Sequence, residues 1–329
     1  DGSPALKQAI VQKLQRDNNL HYDTSDILVT SGAKQALYNA MQALLNPGDE
    51  VIIPAPYWVS YPDMVLLTGA KPVIISAGIE QGYKITAQQL EHAITEKTRM
   101  FIINSPSNPT GACYQAEELM QLAEVLNKHP HIVVLSDDIY EYIQFGDQAF
   151  SNLINVCPDL KPQTIIVNGV SKSHAMTGWR IGYAAGPSPA LSAMKKLQSQ
   201  STSCANSIAQ AASVAALEAP REQFFMPMLE AYQARHDWLY DSIKNVDGFD
   251  AIPAQGTFYM FIHVQAAIDH LKLENDIAFA TYLLEQAHVA TVPGTAFGSP
   301  GYLRLSFATS LEALQEAISR IKKAITKIA

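Results

Sequence analysis

Short apolar runs alternate with amphipathic stretches along the first half of the chain. From Pro4 to Arg16, Leu6, Ile10, Val11 and Leu14 recur at helical spacing behind a proline suited to a first turn. A short apolar strand, Asp26 to Thr30, runs through Ser31-Gly32-Ala33 into a helical pattern over Lys34 to Leu45. Asn46-Pro47-Gly48-Asp49 stops that helix. Further strands are predicted over Glu50 to Pro54, Lys71 to Ser76, Arg99 to Asn104, Ile132 to Ser136, Thr164 to Asn168 and Ile181 to Ala185. Helices over Trp58 to Thr68, Thr86 to Ile94 (Thr86 as N-cap) and Gln115 to Leu126 are interspersed. This alternation predicts an α/β fold with a mostly parallel sheet covered by helices on both faces.

After about residue 220 the pattern changes. One long helix over Phe224 to Val246, strands over Thr257 to His263 and Tyr302 to Ala308, and helices over Asn275 to His288 and Leu311 to Ile325 predict a smaller α+β domain. The expected division is a large domain over 1–225 and a small one over 226–329.

Composition narrows the function classes. Hydrophobic residues make up 48% and charged residues 16%, which argues for a packed core and against disorder. Asp plus Glu outnumber Lys plus Arg by 31 to 23, a net charge of −8, and no basic cluster occurs, so a nucleic-acid surface is not expected. The three cysteines, Cys113, Cys157 and Cys204, are widely spaced. They suit neither a disulfide framework nor a zinc site, and a reducing cytoplasm is the expected location. No apolar run reaches the ~18 residues of a membrane span, so no membrane association is expected.

In an open parallel sheet, ligands bind beyond the carboxyl ends of the strands. Ser31-Gly32-Ala33-Lys34 offers a glycine turn and a helix N-terminus suited to a phosphate, or an ordinary strand-to-helix turn. Asn104-Ser105-Pro106-Ser107-Asn108-Pro109-Thr110-Gly111 is a stiff turn presenting Asn108. Asp137, Asp138 and Tyr140 follow the next strand; an Asp there needs a cation or donor, or serves as a helix cap. Lys172, in the small-residue loop Gly169-Val170-Ser171-Lys172, is a desolvated imine-forming amine or a solvated surface lysine. Arg180 suits a phosphate. Arg304, inside an apolar strand, calls for a ligand carboxylate or an internal salt bridge. Together, an imine-forming Lys, an Asp for a pyridinium nitrogen, a Tyr and Asn for a phenolate and two anion-binding Arg describe one cofactor, pyridoxal phosphate.

These residues stand in TSGAKQAL (30–37), PYWVSYPDM (56–64), NSPSNPTG (104–111), SDDIYE (136–141), SKSHAMTGWRIGY (171–183), VPGTAFG (292–298) and YLRLSFATS (302–310). The set resembles the class I pyridoxal-phosphate aminotransferases of fold type I, specifically their prokaryotic aspartate aminotransferase subgroup, over essentially the whole chain. The resemblance implies that Lys172 carries the cofactor and shuttles the Cα proton, and that Asp137 keeps the ring nitrogen protonated. It implies that Tyr140 and Asn108 face the phenolate and that Trp58 stacks on the ring. Ala33, Lys34, Ser171 and Arg180 would hold the phosphate, and Arg304 the substrate α-carboxylate. Trp58 and Asn108 would also line the substrate pocket. Lys34 is linked in that subgroup to an acidic substrate side chain.

The resemblance further implies ping-pong transamination in a homodimer with no metal, on aspartate and 2-oxoglutarate first, with prephenate or aromatic amino acids as additional substrates. A carbon–sulfur lyase on the same fold is the alternative. Two departures stand out. Gly169 replaces a serine found in several members, which would remove one phosphate hydroxyl. The family's N-terminal arm, with a glycine and a tyrosine for the site, is missing before Asp1. The expectation is an arm left out through disorder and hence an open site.

Overall fold

The structure is a computed structural model that describes residues 1–146 and 149–326. A seven-stranded sheet comprises β1 (Ile27–Thr30), β2 (Glu50–Ala55), β3 (Lys71–Ser76), β4 (Thr98–Asn104), β5 (Val133–Asp137), β6 (Thr164–Gly169) and β7 (Gly182–Ala185), in the order β1-β7-β6-β5-β4-β2-β3. The pairs β2–β3, β2–β4, β4–β5 and β5–β6 are parallel, whereas β7 runs antiparallel to both β6 and β1. This topology gathers the site. β1 lies parallel to β6, so the carboxyl ends of β1, β2, β4, β5 and β6 and the amino end of β7 share one edge. From β2 the chain turns outward to β3 and then back past β2 to β4, so the loops after β2 and β4 diverge and leave a crevice there.

Apolar side chains alternate across the strands. Val51, Ile53, Ile102 and Leu135 face a layer that includes α2 (Ala33–Leu44) and the helix Ser188–Ser201. Ile52, Phe101, Ile103 and Val134 face the helix Ala116–Asn127, and Ile27, Val29 and Ile166 face α1 (Pro4–Asn18). Burial on both faces is why these strands read as continuous apolar runs. Local signals set the helix starts. Ser3 caps α1 ahead of Pro4, and Thr86 forms a capping box with Gln89 for Ala87–Ala93.

A second sheet orders β8 (Tyr259–His263), β10 (Tyr302–Ser306) and β9 (Val292–Pro293), all antiparallel. Its core joins Met260, Ile262, Leu303 and Leu305 to helix Leu311–Thr326, and takes in Ile139, Tyr140 and Ile143 from the loop after β5. Two expected helices differ. The one over Phe224 to Val246 is broken at Phe225, and Met226–Ile243 restarts with Pro227 in its first turn, where a proline is tolerated. The one over Trp58 to Thr68 shortens to Ser60–Leu66, which leaves Trp58 in the loop after β2.

Candidate active site

At the shared strand edge lies a cavity of about 430 Å³. Ala33, Lys34, Trp58, Asn108, Asp137, Tyr140, Ser171, Lys172, Arg180 and Arg304 all line it, so every residue that the resemblance assigns to the site reaches one space, whereas Asp138 does not line it.

The turn after β1 starts α2 at Ala33 without a side-chain cap, leaving its first N–H groups free for an anion. Gly32 there has φ 85°, and a Cβ on it would sit 2.3 Å from an Arg180 Nη2. Only glycine lets that guanidinium cross the helix start. Arg180 donates to the Thr177 carbonyl at 3.1 Å. After β2, half-buried Trp58 packs edge-on to Tyr61 with centroids 5.3 Å apart, and the exposed Lys34 places Nζ 4.8 Å from the Trp58 ring.

Asn104, ending β4, works in two directions. Its Oδ1 accepts from the Asn108 N–H at 2.9 Å, and its Nδ2 donates to the Asp137 carbonyl at 2.8 Å. This pins the proline-rich turn to the end of β5. Asp137 does not cap an α-helix. It is buried, accepts from the Tyr61 hydroxyl at 2.6 Å, and takes a longer 3.4 Å contact from the Ile139 N–H. Burial pushes its carboxyl up to about 6, against the pull of Tyr61, Ile139 and Lys172. Burial also holds the Tyr140 hydroxyl well above the usual phenol range.

Lys172 lies past β6, half-buried, with Nζ 5.6 Å from the Phe258 ring. Burial lowers its pKa, and the positive charges of Arg180 and Arg304 lower it further, while Asp137 opposes. The amine is thereby easier to deprotonate than a surface lysine. Gly169 has no room for a larger residue, since a Cβ would stand 2.7 Å from the Ile181 carbonyl oxygen and 2.9 Å from the Gly182 Cα. Serine at that position would collide with β7.

Arg304 projects from β10. It donates to Asn108 Oδ1 at 2.8 Å and lies between the Tyr259 and Phe297 rings. The internal salt bridge is not seen. Among the described residues, none of Lys34, Lys172, Arg180 and Arg304 forms an ion pair, and Asp137 is the one carboxylate lining the cavity. Four cations against one carboxylate leave a pocket that anions would neutralise.

Residues 1–321 match the family model described as aminotransferase class I and II. The chain belongs to the class I and II aminotransferases. Among relatives of this aminotransferase, the aspartate/prephenate aminotransferase of Nitrosomonas europaea is 51% identical over 326 residues, covering 97% of this chain and 82% of the relative. The aspartate aminotransferase of Rhizobium meliloti (strain 1021) is 47% identical over 333 residues, covering 100% and 81%. The crystal structure of the aspartate aminotransferase from Rhizobium meliloti superposes with a TM-score of 0.94 at 47% identity, over 99% of this chain and 82% of that one. That of Thermus thermophilus with maleate gives 0.90 at 39%, over 98% and 82%. The fold is that of the fold type I aminotransferases.

The cavity of this aminotransferase also contains Leu37, Tyr61, Asn104, Ile139, Thr177 and Tyr259, which the sequence reading did not single out. Tyr61 and Asn104 sit inside motifs already quoted, three residues after Trp58 and four before Asn108, but their roles are contacts to other residues, which spacing does not reveal. Tyr259 comes from β8, whose pattern reads as apolar core.

Proposed function

We propose that this aminotransferase uses pyridoxal 5′-phosphate to transfer the amino group of L-aspartate to 2-oxoglutarate, giving oxaloacetate and L-glutamate. The observation that carries the reading is the cavity with four unpaired cations and one buried carboxylate. Its volume falls within the usual range of cofactor pockets. The residues fit the cofactor: a glycine-cradled helix start beside Arg180, a carboxylate at the end of β5, a tyrosine and an asparagine nearby, and a lysine of lowered pKa.

Arg180, the Ala33 and Lys34 N–H groups and the Ser171 hydroxyl would hold the phosphate. Asp137, fixed by Tyr61 and ionised above about pH 6, would hold a proton on the ring nitrogen. Tyr140 and Asn108 would face the phenolate, and Trp58 would cover the ring. Bound there, the cofactor supplies an electron sink for a carbanion at the substrate Cα. Arg304, oriented by Asn108, forks onto the α-carboxylate, and Lys34 takes the side-chain carboxylate. Lys172 Nζ, as the free amine, removes the Cα proton and delivers one to the same carbon in the reverse half-reaction.

Relatives named for aspartate and for prephenate, and a related structure titled with maleate, support a substrate with two carboxylates. Prephenate is the second reading, because it too carries two carboxylates for Arg304 and Lys34. An assay with aspartate and 2-oxoglutarate, repeated with prephenate as acceptor, tests the reading. Equal amounts of oxaloacetate and glutamate are expected. Pyruvate and ammonia from a cysteine derivative, with no oxaloacetate from aspartate, would replace it with a lyase.

A further inference from the structure

Tyr259 has no part in the function proposed above, yet it touches both halves of the site. β8 pairs antiparallel with β10 so that Arg304 stands opposite Phe261. Tyr259, two residues before Phe261, therefore shares the Arg304 face as its diagonal neighbour. The guanidinium carbon lies 4.2 Å from the Tyr259 ring centroid. The hydroxyl of the same ring lies 3.3 Å from the Tyr140 hydroxyl. The start of β8 fixes this ring in place. The Tyr259 N–H donates to Thr257 Oγ1 at 3.2 Å, and Thr257 is fully buried with φ 63°. A β-branched residue rarely adopts that conformation, and backbone of this kind concentrates at functional sites.

We infer that Tyr259 is a positioning residue that couples Arg304, the substrate-carboxylate group, to Tyr140, the group facing the cofactor's phenolate; this rests on the function proposed above. The cation over its face makes the Tyr259 phenol a stronger donor. In the structure the Tyr140 hydroxyl donates to the Tyr259 oxygen. With a phenolate present to take the Tyr140 proton, that bond would reverse, Tyr259 donating to the Tyr140 oxygen, and each hydrogen bond in such a chain strengthens the next. The ring itself forms the floor on which the guanidinium is aimed.

The test compares Tyr259→Phe, Tyr259→Leu and Tyr140→Phe in the cofactor-loaded enzyme, by pH titration of the bound cofactor's visible absorbance and by KM and kcat for aspartate. Tyr259→Phe keeps the floor and loses the proton. Its absorbance midpoint should rise by about half a pH unit and kcat fall, with KM within about twofold of wild type. Tyr259→Leu should add a KM increase of about fivefold. A wild-type midpoint in Tyr259→Phe, alongside a shifted one in Tyr140→Phe, would overturn the coupling alone, as would equal KM values for the Phe and Leu variants. An unmoved midpoint in Tyr140→Phe would remove the reading of the site and the coupling with it.

Discussion

Asp137 and Asp138 are neighbours at the end of β5, and their surroundings differ completely. Asp138 joins a closed network. It accepts from Ser136 Oγ at 2.6 Å and from Asn152 Nδ2 at 2.9 Å. Nearby, Glu141 pairs with Lys13 of α1 and accepts from Asn18 Nδ2 at 2.9 Å, while Lys13 donates to Asn18 Oδ1 at 2.7 Å. Lys13 is only 1% exposed, so its charge is supportable only because these partners meet it. Asp137 faces the cavity, where the four cations have no carboxylate of their own. Buried charge with a full set of internal partners ties α1 to the loop that carries Tyr140. Charge left open beside a cavity marks where ligand anions go.

Variants on the two sides should separate function from stability. Lys172→Ala is expected to lower turnover on the order of 10⁴-fold without lowering the denaturation midpoint, because it removes an unpaired cation. Lys13→Met should do the reverse in kind. It strands the Glu141 carboxylate, and urea denaturation should show a loss of about 3–5 kcal/mol, largely recovered in Lys13→Met/Glu141→Leu. Equal stability losses at both lysines would erase the contrast. Arg304→Gln should raise KM for aspartate on the order of 100-fold in steady-state assays, as two charge-assisted hydrogen bonds are lost, with little change in denaturation midpoint.

A pH dependence is expected at Asp138. Burial lifts its carboxyl to about 7, so the folded chain holds this proton more tightly than the unfolded chain does. Its ionisation therefore costs stability progressively as pH rises from about 4 to about 7, and the full cost is present above that. In urea denaturation, Asp138→Asn should match wild type near pH 4 and gain stability relative to it progressively up to about pH 7. A gain independent of pH would show that Asp138 is not the group responsible.

The sheet and the candidate residues were legible because each strand of the first half is a short apolar run ending in a glycine, proline, Asp or Lys turn. The helices Ser188–Ser201 and Ser207–Glu218 went unread because Ser, Ala and Gln dilute their apolar spacing. The antiparallel sense of β7 has no signature in its own residues; it follows from the connection through Arg180, whose φ is 54°. Tyr61 and Tyr259 were missed because each reads as packing until the partner at its hydroxyl is known. Gly169, expected to cost a phosphate contact, proves to be required by the approach of β7.

The most direct measurement follows the Cα deuterium of labelled L-aspartate in ordinary water, in cofactor-loaded wild type and in Lys172→Ala. Wild type is expected to wash the label into solvent, and the folded variant to retain it. Washout in Lys172→Ala at the wild-type rate would contradict the assignment of Lys172 as the group that moves the Cα proton.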